Sequence, residues 1–233
     1  MMAKNNRVPK GKVILSISYL LMFSVLLIVI SGNLFWVEGW LFDIWFVSLY
    51  LGVLIYLYYK DPELLVERLR KPGTGGEKRG DKYLFYVFVF LFFLWFVIMP
   101  LDSERFMWTV NFPIWLKVLG GILLLPSAFF TYRAFADNPY ASSVVRIQSE
   151  RKQHVVSTGV YGFVRHPMYL GGILYLIGTP ILLGSRYGIL IGIIMSFLLA
   201  VRIIGEEKVL VEGLEGYVDY KKKVRYRLIP YVW

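Results

Sequence analysis

Six long apolar runs alternate with polar segments along the chain, and each approaches the roughly 20 residues that a helix needs to cross a bilayer. In chain order they cover residues 13–30, 40–59, 83–99, 114–135, 167–183 and 187–204. Only Gly184, Ser185 and Arg186 separate the last two runs, which predicts a tight helical hairpin. The pattern therefore predicts an all-α integral membrane protein with about six transmembrane helices.

Composition supports a membrane location and argues against several kinds of site. Of the 233 residues, 57% are hydrophobic and the mean hydropathy is +0.57, which is untypical of a water-soluble domain. The chain has no cysteine and only two histidines, so we expect neither a disulfide nor a metal site. We attribute the formal net charge of +10 to contact with membrane lipids and expect no nucleic-acid partner.

Lysine and arginine are sorted between alternate loops. Of the 26 basic residues, 23 lie in the N-terminal arm up to Lys12 or in segments 60–82, 133–165 and 202–233. The positive-inside rule therefore predicts a multi-pass membrane protein with both termini and both long loops in the cytoplasm.

The polar segments on either side of the hairpin, 136–166 and 205–233, interleave tyrosine, glycine and charge with apolar residues. This mixture predicts a folded cytoplasmic cap, with a short amphipathic helix near 206–222 and an extended end that leads to Pro230. We expect an N-terminal four-helix membrane region, 1–135, followed by a core, 136–233, that contains the cap, the hairpin and the tail.

Two polar clusters at the predicted cytoplasmic ends of the hairpin helices are candidates for a functional site. The first, STGVYGFVRHPMYLGG, combines tyrosine rings and glycines with a helix start, whose free N–H groups can bind an anion. The second, RIIGEE, places Arg202 and Glu206 on one helix face, with Glu207 about 100° around the axis. Ionisable groups at such a depth usually face a cavity or a bundle interior.

The stretches HVVSTGVYGFVRHPMYLGG, RIIGEE and GYVDYKKKVRYRLIP together resemble the isoprenylcysteine carboxyl methyltransferase family. Its wider relatives include phospholipid N-methyltransferases. The likeness covers residues 142–233, and one departure is Val160, where many relatives have proline.

The resemblance implies a site for S-adenosylmethionine at the cytoplasmic mouth of the hairpin. Arg202 and Glu206 match the proposed catalytic pair of the family. The residues expected to bind the cofactor are His154, Gly159, Tyr161, Arg165, His166, Pro167, Tyr169, Gly171 and Glu207.

The resemblance also implies a lipid-like or prenylated methyl acceptor, with transfer to a carboxylate oxygen. Two alternatives within the same enzyme class are N-methylation of an aminolipid and S-methylation of a small thiol. A non-catalytic lipid-binding membrane protein that retains the fold is an alternative from another class.

Overall fold

The structure, a computed structural model, describes the backbone of residues 8–69, 79–142 and 145–233; the side chains of 79–82 are not described. No strand occurs among these residues, which confirms the all-α class. The helices, in chain order, are α1 (Lys10–Ser31), α2 (Val37–Lys60), α3 (Pro62–Arg68), α4 (Arg79–Pro100), α5 (Ile114–Asp137), α6 (Pro167–Leu183), α7 (Arg186–Gly213) and α8 (Tyr217–Lys223).

Five of these helices are long and apolar enough to cross a membrane, and α6 is also apolar but shorter. The long helices are α1, α2, α4 with the π-helical turn Leu101–Arg105, α5 and α7. Helix α6 has 17 residues and is therefore about 26 Å long, slightly less than the roughly 30 Å hydrocarbon core. The prediction of about six membrane helices is thus confirmed with five full-length helices and one short one.

The predicted hairpin of the last two helices is present, and its turn is held by a buried carboxylate. Gly184 adopts the left-handed conformation with φ 78°, and Ser185 caps α7 by accepting a hydrogen bond from the Gly188 N–H at 2.9 Å. Ser185 Oγ in turn donates to Asp102 Oδ2 at 2.6 Å, which ties the turn to the end of α4.

Helices α5 and α6 form the most extensive helix pair, because small residues bring their backbones together. A Cβ atom at Gly120 would collide with the backbone N of Leu182. One to two turns from the start of α6, Ser127 Oγ donates to the Gly171 carbonyl at 2.8 Å. This contact fixes the start of α6, where the predicted motif lies, against the middle of α5.

The tail differs from the sequence prediction. The single amphipathic helix expected over 206–222 is wrong: α7 continues to Gly213, and α8 begins only at Tyr217. Gly216 lies between the two helices with φ 79°, a conformation that glycine adopts without strain and that changes the direction of the chain. Beyond α8 the chain turns back, and the N–H of Trp233 donates to the Ile229 carbonyl at 3.1 Å, so the end is not extended throughout.

The division at residues 135 and 136 stays a prediction. It falls inside α5, two residues before the helix ends at Asp137.

Substitution of two neighbouring glycines on α5 tests whether α5 and α6 pack closely. We expect Gly120→Val to destabilise the protein by roughly 1–3 kcal/mol, because the new side chain overpacks against the backbone of α6. Gly121→Val is the matched control, since a Cβ there meets only Leu182 Cδ1 at 3.8 Å. Thermal unfolding in detergent measures both, and equal melting temperatures would contradict the packing of α5 on α6.

Single cysteines in this cysteine-free chain test the topology. We expect cysteines at the exposed positions Lys10 and Lys222 to be labelled by an impermeant thiol reagent from one side of the membrane, and a cysteine at exposed Arg186 from the other. Labelling of Arg186→Cys and Lys222→Cys from the same side would contradict a membrane-spanning α7.

Candidate active site

A polar pocket lies where α6 begins, α7 leaves the apolar bundle and α8 packs across them. We call it the polar pocket; its cavity volume is about 100 Å³, and it is partly open to solvent. The wall brings together seven of the residues predicted from the sequence: His154, Tyr161, Arg165, His166, Tyr169, Arg202 and Glu206.

The predicted pair Arg202 and Glu206 lies on the pocket wall, both from α7. Glu206 is held by a side chain from the other arm of the hairpin, since Tyr169 Oη donates to Glu206 Oε2 at 2.6 Å. The pocket therefore presents a guanidinium and a positioned carboxylate side by side, and it can bind groups of both charges.

Glu207 lies behind the pocket wall and faces the tail. It is 3% exposed, and its Oε1 accepts hydrogen bonds from Arg165 Nε at 2.6 Å. His166 Nε2 lies 3.3 Å from the same oxygen, and Arg227 Nε donates to Oε2 at 2.9 Å. Lys221 Nζ of α8 lies 3.9 Å from Oε2, so this buried carboxylate joins α7, the start of α6, α8 and the tail.

Arg165 is hydrogen-bonded to the tail through its backbone N–H as well as its side chain. Its N–H donates to the Tyr226 carbonyl at 3.0 Å, and Nη1 donates to the carbonyls of Val224 and Arg225, both at 2.7 Å. The adjacent N–H of His166 donates to the Arg227 carbonyl at 2.9 Å. Nε and Nη1 of Arg165 therefore point into the protein, where they hold Glu207 and the tail at one side of the pocket.

Three further predicted residues support the pocket without forming its wall. Gly159 has φ 58°, and a Cβ there would collide with the Asp137 carboxylate, which accepts the Val160 N–H at 2.9 Å. Pro167 is the first residue of α6, where a missing N–H costs nothing. Gly171 faces α5, so its lack of a side chain serves helix packing.

Sequence reasoning missed several residues of the pocket wall, among them tyrosines from the segment after α5 and from α8. Tyr220 Oη donates to the Tyr161 carbonyl at 2.8 Å, so α8 is fixed over the 3-10 turn Gly159–Gly162. Burial raises the pKa of Tyr161, Tyr217 and Tyr220, which keeps their hydroxyls neutral near pH 7. The missed wall residues include Tyr140, Arg146, Tyr217 and Tyr220. The only sequence signal was their place in segments expected to form a cap.

Two apolar cavities adjoin the polar pocket on the membrane side. The large apolar cavity, about 430 Å³, lies between α2, α5 and α6, and the small apolar cavity, about 290 Å³, lies between α4, α6 and α7. Met168 lines both cavities and the polar pocket. Tyr169 and Arg202 are shared by the polar pocket and the small cavity. Polar and apolar compartments therefore meet at the start of α6.

Comparison with known proteins relates this part of the chain to membrane methyltransferases. Residues 115–215 match the sequence model of the phospholipid methyltransferase family. A protein-S-isoprenylcysteine O-methyltransferase from Saccharomyces cerevisiae is 39% identical over 85 residues, 36% of this chain and 36% of the yeast protein. Protein-S-isoprenylcysteine O-methyltransferase B from Arabidopsis thaliana is 29% identical over 119 residues, 50% of this chain and 57% of the plant protein.

The fold has a solved counterpart. The structure of the eukaryotic intramembrane Ras methyltransferase, isoprenylcysteine carboxyl methyltransferase, matches with a TM-score of 0.51 and 18% identity, over 94% of this chain and 85% of that chain. At this identity the likeness establishes the fold. The resemblance seen in the sequence is thus confirmed, although the matched segment spans only 36% of the length of the yeast relative.

The buried carboxylate yields a test of the pocket architecture. We expect Glu207→Gln to lower the melting temperature, because a neutral amide leaves Arg165 and Arg227 uncompensated. Breaking a buried ion pair costs roughly 3–5 kcal/mol. Thermal unfolding in detergent measures the effect. Glu215→Gln, at an exposed position, is the control, and a Glu207→Gln protein as stable as that control would contradict the network.

Proposed function

We propose that this chain, whose C-terminal half is related to isoprenylcysteine O-methyltransferases, is an integral-membrane methyltransferase that uses S-adenosylmethionine. The observation that carries the proposal is the polar pocket, which shares lining residues with two apolar cavities. Such a junction suits a reaction between a charged, water-soluble donor and an acceptor with a hydrocarbon tail.

The donor set of the polar pocket fits S-adenosylmethionine. The cofactor carries a carboxylate, an ammonium, a sulfonium and an adenine ring. Nε and Nη2 of Arg146 pair with Glu67 and Glu150, so only its Nη1 can turn to the carboxylate. Glu206 provides negative charge for a cationic group, and Tyr140 or Tyr217 an aromatic face for adenine or sulfonium. When bound, the cofactor supplies an electrophilic methyl group.

The acceptor that the cavities favour is an amphipathic molecule, a carboxylate with an isoprenoid or similar tail. The polar pocket has a cavity volume of only about 100 Å³, whereas the two apolar cavities offer about 430 and 290 Å³. Arg202 lines both the polar pocket and the small apolar cavity, so it can bind the head group of an acceptor whose tail stays in the cavity. The names of the yeast and plant relatives agree with this class of acceptor.

Carboxyl methylation requires the protein mainly to align the two reacting groups. A carboxylate with a pKa near 4 is already ionised at neutral pH, so no general base is needed. Arg202 provides a planar fork that orients the carboxylate, and Glu206, held by Tyr169, orients Arg202 from the same helix face. Holding the two reacting groups in line is then the main source of rate.

N-methylation of an aminolipid is the second candidate, and the match to the phospholipid methyltransferase family favours it. An amine must lose a proton before it attacks, so Glu206 would then act as a general base. The distribution of lysine and arginine supports a cytoplasmic location for the pocket and both termini with either acceptor.

The two chemistries differ in their response to substitution. We expect Arg202→Lys to slow methylation of a farnesylcysteine carboxylate by about 30- to 150-fold, because lysine lacks the planar fork and a charge-assisted contact is worth roughly 2–3 kcal/mol. We expect Glu206→Gln to cost less, since it retains the shape of an orienting group. The measurement is transfer of labelled methyl to the farnesylcysteine, or to native lipid extract, at saturating cofactor and from pH 6 to 9.

Lys208→Gln, an exposed change on the same helix, is the control and should keep wild-type turnover. A carboxylate acceptor gives a nearly flat pH profile. A profile that rises steeply with pH and is abolished by Glu206→Gln would replace carboxyl methylation with aminolipid methylation. Absence of any labelled acceptor and of cofactor binding would overturn the enzymatic proposal.

A further inference from the structure

Arg68 lies at the boundary between the polar and apolar compartments, far in sequence from the related C-terminal part of the chain. It is the last residue of α3, and its side chain lines both the large and the small apolar cavity. The small cavity is also lined by Arg202. Two arginines that are distant in sequence, Arg68 and Arg202, thus line one cavity that adjoins the polar pocket.

The guanidinium of Arg68 uses few of its donors within the protein. Nη1 donates to the Ala141 carbonyl at 3.1 Å, and the guanidinium carbon lies 4.3 Å from the ring centre of Phe135. In the part of the chain that the structure describes, no carboxylate forms an ion pair with it, although guanidinium carries five N–H donors. Burial lowers its pKa to about 10, so it remains charged near neutral pH.

The position of Arg68 is fixed by the rest of α3. Asp61 caps the helix by accepting the Leu64 N–H at 2.9 Å, and Pro62 occupies its first turn. Glu67, which is 4% exposed, pairs with Arg146 of the polar pocket at 2.7 Å. A charged side chain is therefore held at an apolar boundary by a helix that is itself tied to the polar pocket.

A cation in this setting is costly unless an anion joins it. Ionisable side chains that face a cavity within a membrane bundle are usually functional, because solvation by water is lost there. The Ala141 carbonyl and the Phe135 ring offset only part of this cost. Because Arg68 and Arg202 both line the small apolar cavity, a ligand in that cavity can contact both side chains.

We propose that Arg68 is a second binding residue for the anionic head of the methyl acceptor, which it contacts from α3 while Arg202 contacts it from α7. The inference rests on the proposed function and narrows it. Two guanidinium groups around one cavity favour an acceptor with an anionic head group such as a carboxylate, since a lone ammonium group would meet two like charges. Arg68 acts on acceptor binding and specificity, whereas the cofactor stays with the polar pocket.

The experiment compares Arg68→Gln and Arg68→Lys with wild type, using N-acetyl-S-farnesylcysteine as acceptor and its carboxamide as a competitive inhibitor. We expect Arg68→Gln to raise the acceptor KM by roughly 10- to 100-fold and to leave the affinity for S-adenosylhomocysteine within about twofold of wild type. Arg68→Lys should recover part of the acceptor affinity because it restores the charge without the fork.

Discrimination between carboxylate and carboxamide separates recognition from a merely structural role. Wild type should bind the carboxylate more tightly than the carboxamide, and Arg68→Gln should lose most of that preference. Lys60→Gln, an exposed change in the last turn of α2, is the matched control for loss of one positive charge and should behave as wild type.

An unchanged acceptor KM and an unchanged preference in a folded Arg68→Gln protein would overturn the inference while leaving the enzymatic activity intact. A loss of cofactor affinity equal to the loss of acceptor affinity would also overturn it, since it would assign Arg68 to the fold of the pocket. If wild type methylates no carboxylate acceptor but binds the cofactor, the proposed acceptor class fails instead, and Arg68 fails with it.

Discussion

The pocket depends on one buried carboxylate, that of Glu207. Its two oxygens face Arg165, His166 and Arg227, which come from the start of α6 and from the tail. Removing a carboxylate from water is costly, and its charged hydrogen bonds offset that cost only when all three segments are in place. The pocket therefore takes its shape only when the tail is folded against α6 and α7. The backbone hydrogen bonds between residues 165–166 and 226–227 reinforce this arrangement.

Neighbouring glutamates on α7 have different surroundings because a helix turns by about 100° per residue. Glu206 faces the polar pocket and is held by Tyr169, whereas Glu207 faces the tail and is almost fully buried. The same helix thus separates a structural carboxylate from one that is accessible to a ligand. In the proposed reaction this separation allows Glu206 to act on Arg202 without disturbing the ion pairs that hold the tail.

Local rules predicted much of the fold and part of the site. The length and polarity of the apolar runs predicted the membrane helices, and the four-residue spacing of Arg202 and Glu206 predicted their shared face, because both depend on neighbours within one helix. The pairing of Arg165 with the carbonyls of the tail was not predictable, since it joins groups about sixty residues apart. Arg68 was missed for a related reason: the positive-inside rule accounted for its charge, and only tertiary structure brings it to the cavity of Arg202.

The short length of α6 fits its place inside the bundle. It has 17 residues, fewer than α5 or α7, and none of its residues is exposed, so other helices rather than lipid surround most of it. A helix enclosed in this way need not match the hydrocarbon thickness. Its start is where the polar pocket meets the apolar cavities. That junction can therefore lie within the thickness spanned by the longer helices, where the polar end of a lipid would reach it without the tail leaving the bilayer.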